Sequence, residues 1–83
     1  MKDRRLLTHL APGHEGVIAG VDAPEGLRKR LAALGFRAGR TVRLVRQAAL
    51  AGPLQVRLGS TDVALRPQEA EGIHLRAAVP ATP

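Results

Sequence analysis

The chain has no cysteine, tryptophan or tyrosine, and Phe36 is its one aromatic residue. Without thiols there can be no disulfide framework, no thiolate metal site and no cysteine nucleophile. An 83-residue chain of this kind is held by its core alone, which suits a reducing cytoplasm. A single domain of this size buries about 60–65% of the surface its unfolded form exposes, so there is no room for a second core. With 45% hydrophobic residues, mostly Leu, Val and Ala, that core is aliphatic. Such a core fits a small all-β or α+β module better than an enzyme built round a deep pocket.

Other absences narrow the function. Ser60 is the only serine and falls in an apparent hairpin turn, and no pair of carboxylates brackets a pocket signal. Gly13, Gly16 and Gly20 have neither the spacing nor the following Lys-Ser/Thr of a phosphate loop. We therefore expect no enzyme and no cofactor. Long apolar runs are missing too. The charged start Met1-Lys2-Asp3-Arg4-Arg5 is followed only by Leu6-Leu7, too short for a signal peptide. The longest uncharged stretch begins at Gln47 and holds Gly52 and Pro53, which rules it out as a span. A soluble, cytoplasmic protein is expected.

Positive charge is abundant. Eleven arginines give most of the net charge of +6 and the isoelectric point near 11.6. This balance attracts something negative: nucleic acid, an anionic membrane face or an acidic protein surface. The arginines are spread along the chain and not blocked together, so an ordinary solvated surface is an equally good reading.

Along the chain, Ala11-Pro12-Gly13 is a turn signal. His14 to Val21 reads as a strand, with Gly16 and Gly20 as bulge or close-approach points. Asp22-Ala23-Pro24-Glu25 predicts a helix start, capped by Asp22 or Ala23 with Pro24 in the first helical position. Leu27, Leu31 and Leu34 recur at helical spacing and are expected in the core. Gly35 then supplies the left-handed ending, and Phe36 folds back against Leu31. Thr41 to Val45 and Leu54 to Leu58 alternate as strands. Val45 breaks the first alternation, suggesting partial cover of that strand's second face. Gly59-Ser60-Thr61 joins the second to Val63–Arg66 through a three-to-four-residue connection. Pro67 to Gly72 is a turn or a single helical turn, and Ile73 to Arg76 a last strand. Five short strands and one helix after the first suggest a partly closed barrel. The domain is drawn at residues 1–76, with 77–83 as a frayed Ala/Pro tail.

The order of these features resembles the FeoA family. The resemblance is carried by Leu10-x-x-Gly13, Val17-Ile18, Arg30-Leu31-x-x-Leu34-Gly35-Phe36-x-x-Gly39, Gly52-Pro53, and Ala64-Leu65-Arg66-x-x-Glu69-Ala70. It implies a mainly β, SH3-like barrel with a helix inserted after the first strand. It also implies a role beside FeoB, a membrane ferrous-iron transporter with a cytoplasmic GTPase domain, at the inner face of the plasma membrane. Similar modules end iron- and manganese-dependent repressors. With only about six residues before the module, no DNA-binding part is expected, and the chain reads as a stand-alone subunit of unknown oligomeric state.

Two kinds of site remain to be weighed. His9, His14, Glu15, Asp22 and His74 are the possible metal ligands, but none has built-site spacing, so no metal centre is expected. Arg28, Arg37, Arg40, Arg43 and Arg46, with Arg30, fall on the helix, the next turn and the next strand, and could form one basic face for a partner. Single-stranded nucleic acid is disfavoured there by the lack of aromatic platforms; duplex phosphates need none. A nucleic-acid barrel and a detached sensor module therefore stay open as alternatives. Arg30 and Arg66 can equally serve structure by bonding free carbonyls or an acidic neighbour.

Overall fold

Backbone pairing organises the chain into one six-stranded antiparallel sheet. The computed structural model describes residues 5–80, with side chains described from 6 to 76. The strands are β1 (Arg5–Leu6), β2 (His14–Val21), β3 (Thr41–Gln47), β4 (Leu54–Leu58), β5 (Thr61–Leu65) and β6 (Ile73–Pro80), in the spatial order β1-β6-β2-β3-β4-β5. A 3-10 turn, Leu7–His9, follows β1; helix α1 (Glu25–Leu34) joins β2 to β3, and a one-turn helix α2 (Pro67–Ala70) joins β5 to β6.

Five strands match the expected ones, and the two-residue β1 is additional, recruited by pairing Arg5 with Leu75 and Leu6 with His74. The last strand is longer than expected. Residues 77–80 continue β6 and pair with His14–Val17, because β2 offers a free edge that far; residues 81–83 of the expected tail lie outside the described residues. The β4–β5 hairpin is tighter than expected, since Leu58 already pairs with Thr61 and only Gly59-Ser60 make the loop. Gly59, with φ of 61°, takes the first central position of such a two-residue turn.

Helix α1 begins one residue late. Pro24, in extended conformation, is the residue before the helix and not its first member. Its other end follows the sequence closely. Gly35 is left-handed at φ 108°, the Gly35 N–H bonds the Ala32 carbonyl at 3.0 Å, and the Phe36 N–H bonds the Leu31 carbonyl at 2.9 Å. That is the double bond of a Schellman ending, and it brings Phe36 and Leu31, both buried, together in the core. Leu34 is a correction: it is 44% exposed. Gly35 turns the chain back, so Phe36 fills the core position that helical spacing assigned to Leu34, while Leu27 packs partly buried against the same core.

Alternation along the strands loads one sheet face with Ile18, Val42, Leu44, Leu54, Val56 and Leu58, all buried. Where alternation fails, a bulge restores it. Ala19 has no partner between the pairs Ile18–Leu75 and Gly20–His74, which lets Ile18 and Val21, three positions apart, both reach the core. Arg76 is left over in the same way in β6, so the two bulges cancel in register. In β3 the odd residue is Val45, between the pairs Leu44–Val56 and Arg46–Gln55. The disturbed alternation at Val45 is thus a bulge, and its effect is to turn Arg46 out with Gln55.

Candidate partner-binding surface

Several of the motif residues prove to hold the fold together. The Glu69 carboxylate accepts from the Arg66 backbone N–H at 2.9 Å, satisfying a free donor at the start of α2, and its other oxygen takes the Arg30 guanidinium of α1. One carboxylate therefore ties α1 to α2. Beside it, Ala70 is fully buried. The Gly39 N–H bonds the Ile18 carbonyl at 2.8 Å, with Gly39 at φ 92°, which suits glycine. The Pro53 carbonyl accepts from the Ala48 N–H at 2.9 Å and closes the β3–β4 loop. Gly52 leaves no room for more: a Cβ there would meet the Ala48 Cβ at 2.8 Å. Gly72, which the sequence did not single out, is tighter still. Its carbonyl accepts from the Asp22 N–H at 2.7 Å, and an added Cβ would meet the Asp22 oxygen at 2.3 Å.

The expected basic face is split. Arg28 is exposed on α1, a helix whose Leu31 enters the core. Arg37 folds back on the helix end, its Nε donating to the Ala32 carbonyl at 3.2 Å. Arg43 and Arg46 lie on β3, on the sheet face turned away from the core. Arg40 lies over two glycines: a Cβ added at Gly35 or at Gly59 would stand 3.7 Å from one of its guanidinium nitrogens.

Register brings in a residue that the sequence reading missed. Arg57 sits directly opposite Arg43, with Glu15 on the other side and Asp62 beyond, so Glu15, Arg43, Arg57 and Asp62 form a row across β2, β3, β4 and β5. The clean alternation of Leu54–Leu58 already turned Arg57 outward; only the β3–β4 register, set by the Val45 bulge, reveals its neighbour. A hollow of about 240 Å³ lies here, lined by Glu15, Thr41, Arg43, Arg57 and Gly59.

The arginines of this hollow differ in partnership. Arg57 holds Asp62 bidentately, at 2.7 and 3.1 Å, and Gln55 adds a third bond to the same carboxylate at 3.1 Å. The hydrogen bonds from Arg57 and then Gln55 hold the Asp62 carboxyl below its usual range, and the bond to Asp62 raises Arg57. The ion pairs among the described residues are this one, Arg30–Glu69 and Lys29–Glu25. Neither Arg40 nor Arg43 belongs to any of them, so both offer free guanidinium donors to an outside carboxylate or phosphate.

At the opposite corner, a groove of about 420 Å³ runs between the start of α1 and α2, with Leu6, Ala23, Pro24 and Leu27 among its walls and Asp22, Glu69 and Glu71 at its margins. His74 lines it as well, and its Nδ1, like that of His14, is buried without a hydrogen-bond partner among the described residues. Despite this, among the described residues no three His, Asp or Glu side chains are grouped to hold a metal ion. His9 is exposed on the 3-10 turn, and Glu15 belongs to the charge row.

The FeoA domain model matches residues 5–77, nearly the whole chain. The chain belongs to the FeoA family. Solved structures agree. The chain is 33% identical to FeoA of Stenotrophomonas maltophilia, described as a procaryotic SH3 domain protein complexed with zinc and as a candidate ferrous iron transport activating factor. The match covers 83% of this chain and 86% of that one, with a TM-score of 0.73. FeoA of Chlorobium tepidum is 32% identical over 88% of this chain and 71% of its own, at a TM-score of 0.78. A manganese-dependent transcriptional repressor shares the fold at a TM-score of 0.83, with 22% identity, over 93% of this chain and 43% of the repressor. No curated protein matches the chain significantly. The mainly β, SH3-like architecture expected from the resemblance is therefore the fold of this FeoA-family chain. No helix among its described residues is long and apolar enough to cross a membrane.

Proposed function

We propose that this chain is a non-enzymatic accessory protein of a ferrous-iron transport system, acting on the cytoplasmic side by binding a FeoB-type membrane GTPase. The observation that carries the reading is the family match over residues 5–77. The contact surface is the outer hollow of β2–β5, with Arg43 in its wall and Arg40 beside Gly59 at its edge, neither of them in an ion pair among the described residues. Arg57 is neutralised by Asp62 and serves as a fixed wall beside them. An acidic surface on the GTPase domain complements these guanidinium groups, and such complementarity raises the rate of encounter and fixes orientation. Arg28 and Arg37 lie outside this hollow and contribute general positive charge.

Titration against the detergent-solubilised transporter, with and without GTP, tests this. Binding of the wild-type chain is expected to weaken about tenfold or more in the doubly reversed variant Arg40→Glu/Arg43→Glu, with a shallower salt dependence. Equal affinity for both proteins would remove this surface. No binding in any nucleotide state would remove the transporter as partner; steeply salt-dependent binding to RNA or DNA in its place would favour the nucleic-acid reading.

A further inference from the structure

The β3–β4 loop, residues 48–53, carries the most exposed large apolar side chain of the described residues. Leu50 is 98% exposed at its tip. The loop reads Ala48-Ala49-Leu50-Ala51-Gly52-Pro53, without one charged or hydrogen-bonding side chain. It is nonetheless built to a fixed shape. The Ala48 N–H bonds the Pro53 carbonyl, the Gly52 N–H bonds the Ala48 carbonyl at 3.2 Å, and Gln47 Nε2 donates to the Gly52 carbonyl at 3.2 Å.

Two residues in succession, Leu50 at φ 61° and Ala51 at φ 56°, take the left-handed conformation that a Cβ disfavours. Strain of this kind persists only where surrounding structure enforces it, and it points to a use for the conformation. Here the visible result is a leucine held out in water, with its backbone bonds closed behind it.

Charge surrounds the knob at its base. Arg46, turned outward by the Val45 bulge, stands on β3 just before the loop. Leu54 pairs with Leu65, so Arg66 follows next to Pro53 on the other side. Both arginines are exposed, and neither belongs to an ion pair among the described residues. An apolar tip between two free arginines, on a chain of net charge +6, fits the interface of an anionic bilayer. The leucine enters the acyl boundary, and the guanidinium groups reach the phosphates above it. Charge complementarity between the two flanking arginines and lipid phosphates selects the bilayer as the occupant.

We infer that the β3–β4 loop is a lipid-contact element, inserting Leu50 into an anionic membrane surface with Arg46 and Arg66 on the headgroups. The loop lies at the far end of β3 from Arg40, about 20 Å away at strand spacing. Membrane and transporter can therefore be contacted together, and the lipid contact does not depend on the transporter reading.

The lack of native tryptophan and tyrosine makes the test direct. In Leu50→Trp the new indole is the only strong fluorophore. Its emission is expected to shift to the blue on adding phosphatidylglycerol-containing vesicles at low salt, and to stay put with pure phosphatidylcholine. Co-sedimentation of the unlabelled chain with the anionic vesicles is expected to fall about threefold or more in Leu50→Asp and in Arg46→Glu. Leu50 is almost wholly exposed, so neither substitution there should lower the melting temperature. Absence of a blue shift at millimolar anionic lipid would overturn the inference, and so would a shift that needs no lipid and grows with protein concentration, which would make a second copy the occupant. Because the vesicles hold no transporter, failure here leaves the proposed partnership untouched.

Discussion

Arg30 and Arg43 lie thirteen positions apart and serve opposite ends. Arg30 is bound into the corner where α1, α2 and the start of β6 meet. There Glu69 joins two helices, Ala70 and Ile73 are buried, and the Gly72 carbonyl bonds the Asp22 N–H. Arg43 lies on the outer face of β3, between a carboxylate and another arginine, and belongs to no ion pair among the described residues. The corner uses Arg30, Glu69 and the Gly72 carbonyl internally. The outer face keeps donors free. The corner thus serves stability, and the outer face is the surface proposed for contact.

If the comparison holds, substitutions in the corner should lower stability, while those on the outer face should leave it alone. Leu31→Ala, which empties a fully buried position, is expected to cost about 3 kcal/mol in urea denaturation. Gly72→Ala comes next at about 2–3 kcal/mol, because its Cβ would collide with backbone that cannot swing aside. Glu69→Ala removes the bond to the α2 start and the partner of a largely exposed Arg30, for a loss of about 1 kcal/mol. Leu34→Ala and Arg43→Glu should each stay within about 0.5 kcal/mol of wild type. A large loss from Arg43→Glu would break the division between the two regions.

The smallest effect depends on pH. The Asp62 carboxyl is held below its usual range, so the folded state binds this proton less readily than the unfolded chain does. The stabilisation is complete above the ordinary carboxylate range, near pH 4, and fades as pH falls through the lower folded value. Melting curves of wild type and Asp62→Asn should therefore differ slightly at neutral pH and converge in acid. A gap that widens in acid would show that Asp62 is not the group involved.

Local chemistry was legible in the chain. The Gly35-Phe36 ending needs only residues near in sequence, and it forms as those residues require. Alternation likewise marked β4 and most of β3. What depends on distant partners was not legible. The Val45 irregularity is visible in the sequence, but its meaning as a bulge comes from the Val56 and Gln55 pairs of another strand. Arg57 was passed over for the same reason: its neighbour Arg43 is fixed by register, which no local pattern encodes. Leu34 had the right spacing for the core, yet the turn after it gave that space to Phe36. The motif residues Arg30, Arg66 and Glu69 were readable as a set, but their meeting at one carboxylate required the fold.

The paired bulges at Ala19 and Arg76 decide where this chain can change in length. Ile18 and Val21 share the core only because an extra residue sits between them. Losing Ala19 would reverse the orientation of everything downstream in β2 relative to Ile18, whereas losing or gaining a residue at the tip of the 48–53 loop would leave every strand in phase. Insertions and deletions should thus be tolerated in the turns, and a shortened β2 only in a chain that repacks its partner strand as well.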